Sequence, residues 1–403
     1  MKKSERLLAQ KRHIGIGTFK ATDKARDLIT SVLDTGWISY GVQSKRFEVE
    51  FSHLHDCSYG ILSNSGTSSL HVALQAMKEL HNWPDGMEVI VPASTFVATI
   101  NVVLHNNLKP VFVDIEPDTY GLDPNEVEQA ITDRTVAVIP VHLYGQPCQM
   151  NRIKKALGPW DIKIIEDSCE TMFATHFGQV VGSLGDIACF SLYNAHILTA
   201  GVGGIATTNN PAYAMKMRSL VNHGLDIEEL NTDENFSPRP SIGRSFRFTH
   251  AGHSFRITEL EACLALAQLE DRRHILNGRQ RNAKHLSAGL NLINATEDAG
   301  FILPKIAEGN THSWMMYPIV LGETKGSVID KATIVQHLND HGIETRDMMP
   351  IVSQPIYQDM LDPLDYPVAK YVDENGFYIG CHQDLEPDDI EYVLEIFRQF
   401  FYD

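Results

Sequence analysis

The chain lacks the close cysteine pairs that usually mark a metal site. Its six cysteines, Cys57, Cys148, Cys169, Cys189, Cys263 and Cys381, form no C-x-C or C-x-x-C pair. That argues against zinc and iron-sulfur centres and leaves buried free thiols as the expectation. Long apolar runs are missing as well. The longest, such as "TVAVIPV" from residue 135, are far too short to span a bilayer. Positive charge is in the minority, with 34 Lys and Arg against 51 Asp and Glu and a net charge of -17. This balance opposes nonspecific contact with nucleic acid or anionic membranes, while still allowing a local cationic pocket for a phosphorylated ligand. The opening "MKKSERLLAQKRH" has basic residues but no apolar stretch or cleavage site behind them. The expectation is a cytoplasmic protein without a secretory signal. No repeat or low-complexity tract is visible.

What is present is an ordinary globular composition, 43% hydrophobic and 21% charged over 403 residues, long enough for two domains sharing a large core. Runs rich in Val and Ile recur: "EVIVP" at 88, "PVFVD" at 110, "TVAVIPV" at 135, "IKIIED" at 162, "DIACF" at 186 and "GIATT" at 204. Helical patterns alternate with them, which predicts strands buried on both faces of a mostly parallel α/β sheet. "GTSSLHVALQAM" carries Leu70, Ala73, Leu74 and Met77 at helical spacing and predicts a helix starting near Gly66. From about 225 to 248 the polar, Pro-bearing pattern predicts a long loop of the kind that is often functional. After it, "ITELEACLALAQLEDRRHILNGRQRNAKHLSAGL" predicts one long helix with Thr258 as N-cap. The expected division is a large cofactor-binding domain over 1–270 and a smaller α+β domain over 271–403.

Three stretches can carry chemistry. "SNSGTSSL" opens a helix with Gly66 and Thr67, a suitable phosphate cradle of free N–H groups at the positive end of a helix dipole, although small residues begin many ordinary helices. "IIEDSCE" puts Asp167 at the end of an apolar strand, where open α/β sheets face their ligands. A carboxylate there can keep a pyridinium nitrogen protonated, or it can simply cap the next helix. In "ACFSLYNAHILTAGVGG", Ser191 precedes His196 by five residues at a strand end and turn. A lone histidine is more often a surface or core residue than a proton carrier.

The order of these stretches resembles the fold type I, pyridoxal phosphate-dependent family of nucleotide-sugar aminotransferases and dehydratases. The blocks that carry it are "GWISYGVQSKRFEVEF", "SNSGTSSLHVAL", "VPASTFVATINVVL", "PVFVDIEPDTYGLDP", "EDSCE", "GSLGDIACFSLYNAH", "GVGG", "HAGHSFRITELEACLALAQLE" and "SQPIYQ", nearly the whole chain. The resemblance implies an aspartate aminotransferase-like architecture with pyridoxal or pyridoxamine phosphate as cofactor. It implies that Gly66, Thr67 and Ser191 hold the cofactor phosphate, that Phe96 stacks on the ring, that Asp167 pairs with the ring nitrogen and that Glu170 lies beside the ring oxygen. Ser254 stands where the family generally has an Asn reaching the neighbouring subunit's phosphate, which implies a homodimer with shared sites. Arg256 and Arg346 can meet a sugar diphosphate or an amino donor's carboxylate by bidentate bonds, or form surface ion pairs. His142 is a further candidate for facing substrate.

In the family's aminotransferases the fifth residue after the serine is a lysine bonded to the cofactor. Here it is His196, which can move a proton near neutral pH but cannot form that bond. A small branch, the 3-dehydratases of dideoxysugar pathways such as those leading to colitose and ascarylose, has histidine there within S-F-Y-P-A-H-H-I. "SLYNAHIL" keeps the Ser, Tyr, Ala and His. Asn194, Ile197 and Val202 depart from the branch's Pro, second His and acid, and the ascarylose enzymes' cluster cysteines are absent. The resemblance therefore implies loss of water at C3 of a nucleotide-linked 4-keto-6-deoxysugar in surface-polysaccharide synthesis, with His196 as acid/base, glutamate as amino donor and no metal. The alternatives are a sugar aminotransferase whose lysine has been replaced and a catalytically silent cofactor- or sugar-binding protein.

Overall fold

The Val- and Ile-rich runs form strands because β-branched side chains suit the pleated sheet and pack on both of its faces. The computed structural model describes residues 12–226, 247–324, 329–349 and 351–402. Helices α1 (Asp23–Thr35) and α2 (Val42–Leu54) lead into β1 (Tyr59–Ser63) and α3 (Gly66–Leu80). Then follow β2 (Glu88–Pro92), α4 (Val97–His105), β3 (Lys109–Val113), α5 (Pro124–Ala130), β4 (Thr135–Val138), α6 (Met150–Leu157) and β5 (Lys163–Asp167). A short hairpin, β6 (Thr175–His176) with β7 (Gln179–Val180), precedes β8 (Ile187–Ser191), β9 (Gly204–Thr208) and α7 (Pro211–Val221).

Seven of these strands make one sheet in the order β1-β9-β8-β5-β4-β2-β3. Neighbours from β8 to β3 pair in parallel, whereas β9 runs antiparallel to both β8 and β1. All six expected runs are strands of this sheet. β1 is a strand that the sequence reading did not anticipate, because "YGILS" is short and flanked by polar turn residues. Leu70, Ala73, Leu74 and Met77 are buried on α3, and the Ser65 side chain caps the helix by accepting from the Ser68 N–H.

The expected single helix after Thr258 is two helices, α8 (Glu259–Glu270) and α9 (Arg272–Glu297). Thr258 does cap the first, in a capping box with Glu261. Asp271 separates them at φ -87°, ψ 3°, ending one helix and opening the next; a short polar side chain favours such boundary conformations. The break redirects the chain. Leu266 and Leu269 of α8 pack in the core around the large sheet, whereas Leu286, Leu290 and Ile293 of α9 pack in a second core.

The second core covers a four-stranded antiparallel sheet, β10-β11-β13-β12, made of β10 (Phe301–Ile302), β11 (Tyr317–Leu321), β12 (Thr345–Asp347) and β13 (Gly376–Ile379). Helices α10 (Lys331–Asp340), α11 (Pro367–Asn375) and α12 (Pro387–Gln399) complete this part. Ile14 belongs to this second core and Ile16 to the first, so the segment before α1 joins the two. Most of the predicted loop after 225 lies outside the described residues, but its ends meet: the Asp226 N–H donates to the Arg247 carbonyl at 2.9 Å. Among the described residues no helix is long and apolar enough to cross a membrane.

Candidate active site

The parallel strands β2, β4, β5 and β8 end at one edge of the sheet, and the segments leaving those ends carry most of the expected site residues. Gly66 opens α3 against this edge. A methyl group there would lie 2.8 Å from both Cys169 Sγ and Ser191 Cβ, so only glycine lets the helix start this close to β8 and to the turn after β5. The free N–H groups of the first turn of α3 therefore begin beside Ser191, with Thr67 exposed next in line. The Ser191 hydroxyl accepts from the Tyr193 N–H at 3.3 Å.

Asp167 ends β5 and is buried. Its Oδ2 accepts from Thr99 Oγ1 at 2.8 Å and its Oδ1 from the Cys169 N–H at 3.2 Å. Burial raises the carboxyl above the ordinary carboxylate range, against the opposing pull of these donors. Thr99 lies on the first turn of α4, and Phe96, the N-cap of that helix, is 61% exposed at the same edge. Glu170 accepts from the Tyr144 N–H at 2.9 Å, and burial pushes its carboxyl up to about 7.

His196 lies on the turn that follows β8, with its N–H bonded to the Tyr193 carbonyl at 2.9 Å. The ring is half-buried and its Nδ1 has no hydrogen-bond partner among the described residues. Burial pushes the imidazole down to about 4; the Ser191 backbone opposes the shift and the Arg279 guanidinium adds to it. The ring is thus held neutral around pH 7, with the lone pair that a proton acceptor requires.

Other expected residues stand elsewhere. His142 does not line the cleft. It is wholly buried, its Nε2 donates to Glu166 at 3.1 Å and its Nδ1 accepts from the Cys148 N–H at 3.1 Å, so neither nitrogen is left for a ligand. Ser254 and Arg256 are exposed and bonded to each other at 2.9 Å, and Arg256 also reaches Asn222. They flank Phe255, whose carbonyl accepts from the Asn64 N–H just ahead of α3. Arg346 on β12 forks onto Glu344. Its cross-strand neighbour Tyr378 has its ring 5.8 Å from that of Tyr144, which places Arg346 on the cleft side of the small sheet but not in the cluster.

Three contributors were not foreseen. Thr99 holds Asp167, although Thr95 and Thr99 at helical spacing in "STFVAT" were a readable sign of a polar helix face. Tyr144 holds Glu170 from a left-handed turn at φ 58° that nothing local announces. Arg279 donates to the His196 carbonyl at 3.4 Å. Its signal was a charge on the buried stripe of α9, between Ile275 and Ala283.

Comparison with known proteins agrees with this architecture. A family model described as the DegT/DnrJ/EryC1/StrS aminotransferase family matches residues 20–398. The chain is 33% identical over 394 residues to the GDP-perosamine synthase of Caulobacter vibrioides, covering 96% of this chain and 98% of that one. It is 27% identical to the GDP-4-keto-6-deoxy-D-mannose 3-dehydratase of Escherichia coli O55:H7, over 92% of this chain and 95% of that protein. Among solved structures, an Escherichia coli GDP-4-keto-6-deoxy-D-mannose-3-dehydratase with bound hydrated PLP superposes with a TM-score of 0.86 at 24% identity, covering 96% of this chain and all of that one. A sheet of this order and a match over nearly the full length have one reading: the chain belongs to the DegT/DnrJ/EryC1/StrS aminotransferase family.

Proposed function

We propose that this protein uses pyridoxal or pyridoxamine phosphate to modify a nucleotide-linked 4-keto-6-deoxysugar, and that the modification is loss of water at C3 with His196 as acid/base. The observation that carries the reading is a half-buried imidazole on the turn after Ser191 that burial keeps neutral at pH 7. No amine stands at that position.

The residues fit the cofactor. Gly66 leaves open the close approach that a methyl would block, and buried Asp167 is oriented by two donors. The N–H groups of the first turn of α3, with Thr67 and Ser191, would hold a phosphate by backbone donors, hydroxyls and the helix dipole. Asp167 would hold the proton on a ring nitrogen, and that pairing would draw its raised carboxyl back to the charged form. Phe96 is free to cover a ring face. Glu170, whose carboxyl burial pushes up to about 7, can donate to a ring oxygen when protonated as well as accept. When bound, the cofactor supplies an electron sink that no side chain offers.

His196 does the proton work. The neutral imidazole takes a proton on a ring nitrogen and then gives it to the departing C3 hydroxyl of the sugar, so one group serves both steps. Histidine also lacks the amine through which lysine would divert the reaction toward amino transfer. A homodimer in which Ser254 reaches the neighbouring site is part of this reading, as are glutamate as amino donor and Arg256 and Arg346 as contacts for its carboxylate or the sugar diphosphate. The cytoplasm is where such nucleotide sugars are made.

A second reading, amino transfer to the same ketosugar, draws support from the 33% identity to a perosamine synthase. Incubation with pyridoxal phosphate, glutamate and a panel of nucleotide 4-ketosugars separates the two by mass spectrometry. Loss of water supports the dehydratase. Gain of an amine overturns it, and binding without product points to a silent protein.

A further inference from the structure

Arg279 is buried to 1% exposure in the middle of α9, and among the described residues no carboxylate lies within ion-pair distance of it. An unpaired charge in an interior is costly, so a fold that keeps one has a use for it or loses stability for nothing. Its Nη1 donates to the carbonyls of Met315 at 2.7 Å and Trp314 at 3.1 Å, and its Nη2 to the carbonyl of His196 at 3.4 Å. Its Nε has no partner among the described residues. The fork thus ties α9 and the segment entering β11 to the turn that carries the imidazole.

On its other side the turn is pressed by the segment before α1. A methyl on Gly17 would lie 2.9 Å from Ala195 Cα and from the Asn194 carbonyl oxygen. The turn is therefore held by two segments, and among the described residues the Arg279 guanidinium is the charge that acts on the ring. We propose that Arg279 is a positioning residue for His196: it holds the turn by its carbonyl and sets a fixed positive charge beside the imidazole. This rests on the acid/base role proposed for His196.

The charges facing the pair can be named. Arg279 feels Cys381 and Asp384, both from the segment after β13, and it acts in turn on His382. Asp384 is engaged by Thr18 and by Lys20 at 3.0 Å, so its charge is shared away from the guanidinium. Beside His196 stand the Tyr193 ring, 6.1 Å between centroids, and the Ser191 backbone. A fixed cation beside an imidazole disfavours its protonated form, so the ring stays a proton acceptor as pH falls below neutral.

Two variants of the holoenzyme separate charge from grip. In Arg279→Gln the charge is gone, and the His196 imidazole, followed by NMR of histidine-labelled protein and assigned by its loss in His196→Asn, is expected to titrate at a measurably higher pH than in the parent. In Arg279→Lys the charge remains but the fork is lost. Turnover is expected to fall about 10- to 100-fold with KM for the nucleotide sugar unchanged, and the titration stays near the parent's. An unmoved titration in Arg279→Gln overturns the proposal, and so does parental turnover in Arg279→Lys. Loss of thermal stability with the titration unmoved is the purely structural outcome and overturns it too. If His196→Asn turns over as fast as the parent, the acid/base reading fails, while the titration still reports whether Arg279 acts on the ring.

Discussion

Glu166 and Asp167 are consecutive residues of β5, and successive side chains of a strand point to opposite faces of the sheet. Both are buried carboxylates. Glu166 accepts from His142 at 3.1 Å and from the N–H groups of Gly182 at 3.0 Å and Gly185 at 2.6 Å. On that face the donors are matched by acceptors and the loop after β7 is locked. On the other side Asp167 accepts two bonds, has a raised carboxyl, and adjoins Ser168, whose hydroxyl has no partner. Among the described residues, buried His196 Nδ1, Tyr144 OH and Arg279 Nε also lack a partner, as do Tyr120 OH, Thr199 Oγ1 and His382 Nδ1. Buried polar groups in native proteins are nearly always paired. One carboxylate is therefore sealed by three donors, whereas its neighbour keeps fewer bonds and a raised carboxyl.

The sharpest way to break this contrast is to remove the side chain proposed to carry the proton. His196→Asn should lower turnover by about 10²- to 10⁴-fold while the holoenzyme's cofactor absorbance and thermal midpoint stay within error of the parent. Asp167→Asn comes next. Turnover should fall about 10²-fold with little change in stability, because a neutral amide relieves the desolvation that already disfavours the carboxylate. Glu166→Gln should do the reverse. Denaturant titration should show a loss of about 3 kcal/mol, since an amide nitrogen would face N–H donors, with turnover per folded molecule near the parent's.

Glu170 sharpens the comparison through pH. Its carboxyl loses its proton near 4.5 when unfolded and near 7 when folded. Between those values the folded state binds more protons, so its contribution to stability is present below pH 4.5 and lost as pH rises through 7. The loss is about 3 kcal/mol at most. Apo-protein unfolding midpoints measured from pH 4.5 to 8 should flatten in Glu170→Gln. The smallest effect is expected of Gly66→Ala. The added methyl meets Cys169 and Ser191 and should cost about 1 to 3 kcal/mol, with a weaker hold on pyridoxal phosphate measured by equilibrium dialysis.

Much of the large sheet was legible because strands buried on both faces write themselves as short runs of apolar and small residues; β2, β4, β5, β8 and β9 are of this kind. β1 was not, since five residues between polar turns carry too little periodicity to read. The boundary at Asp271 escaped because no Gly or Pro marks it, and one residue's backbone angles make the difference. Of the candidate residues, those on strand ends and helix starts, Gly66, Asp167 and Ser191, came together at one edge because chain order fixes them there. His142 lay on the same edge and still turned inward, because its ring found two partners, Glu166 and Cys148, that no local pattern connects to it.

By itself, then, the sequence determined the alternation of elements, the sheet's parallel character, the glycine that opens α3 and the histidine five residues after Ser191. These follow from local sterics, hydrophobic periodicity and side-chain chemistry. Only the tertiary structure decided that Arg279 comes to the back of the His196 turn, that Tyr144 and Thr99 hold the two acids, and which of two adjacent carboxylates is sealed. Such pairings join residues far apart in the chain, and their outcome depends on which donors reach a buried group before water is excluded.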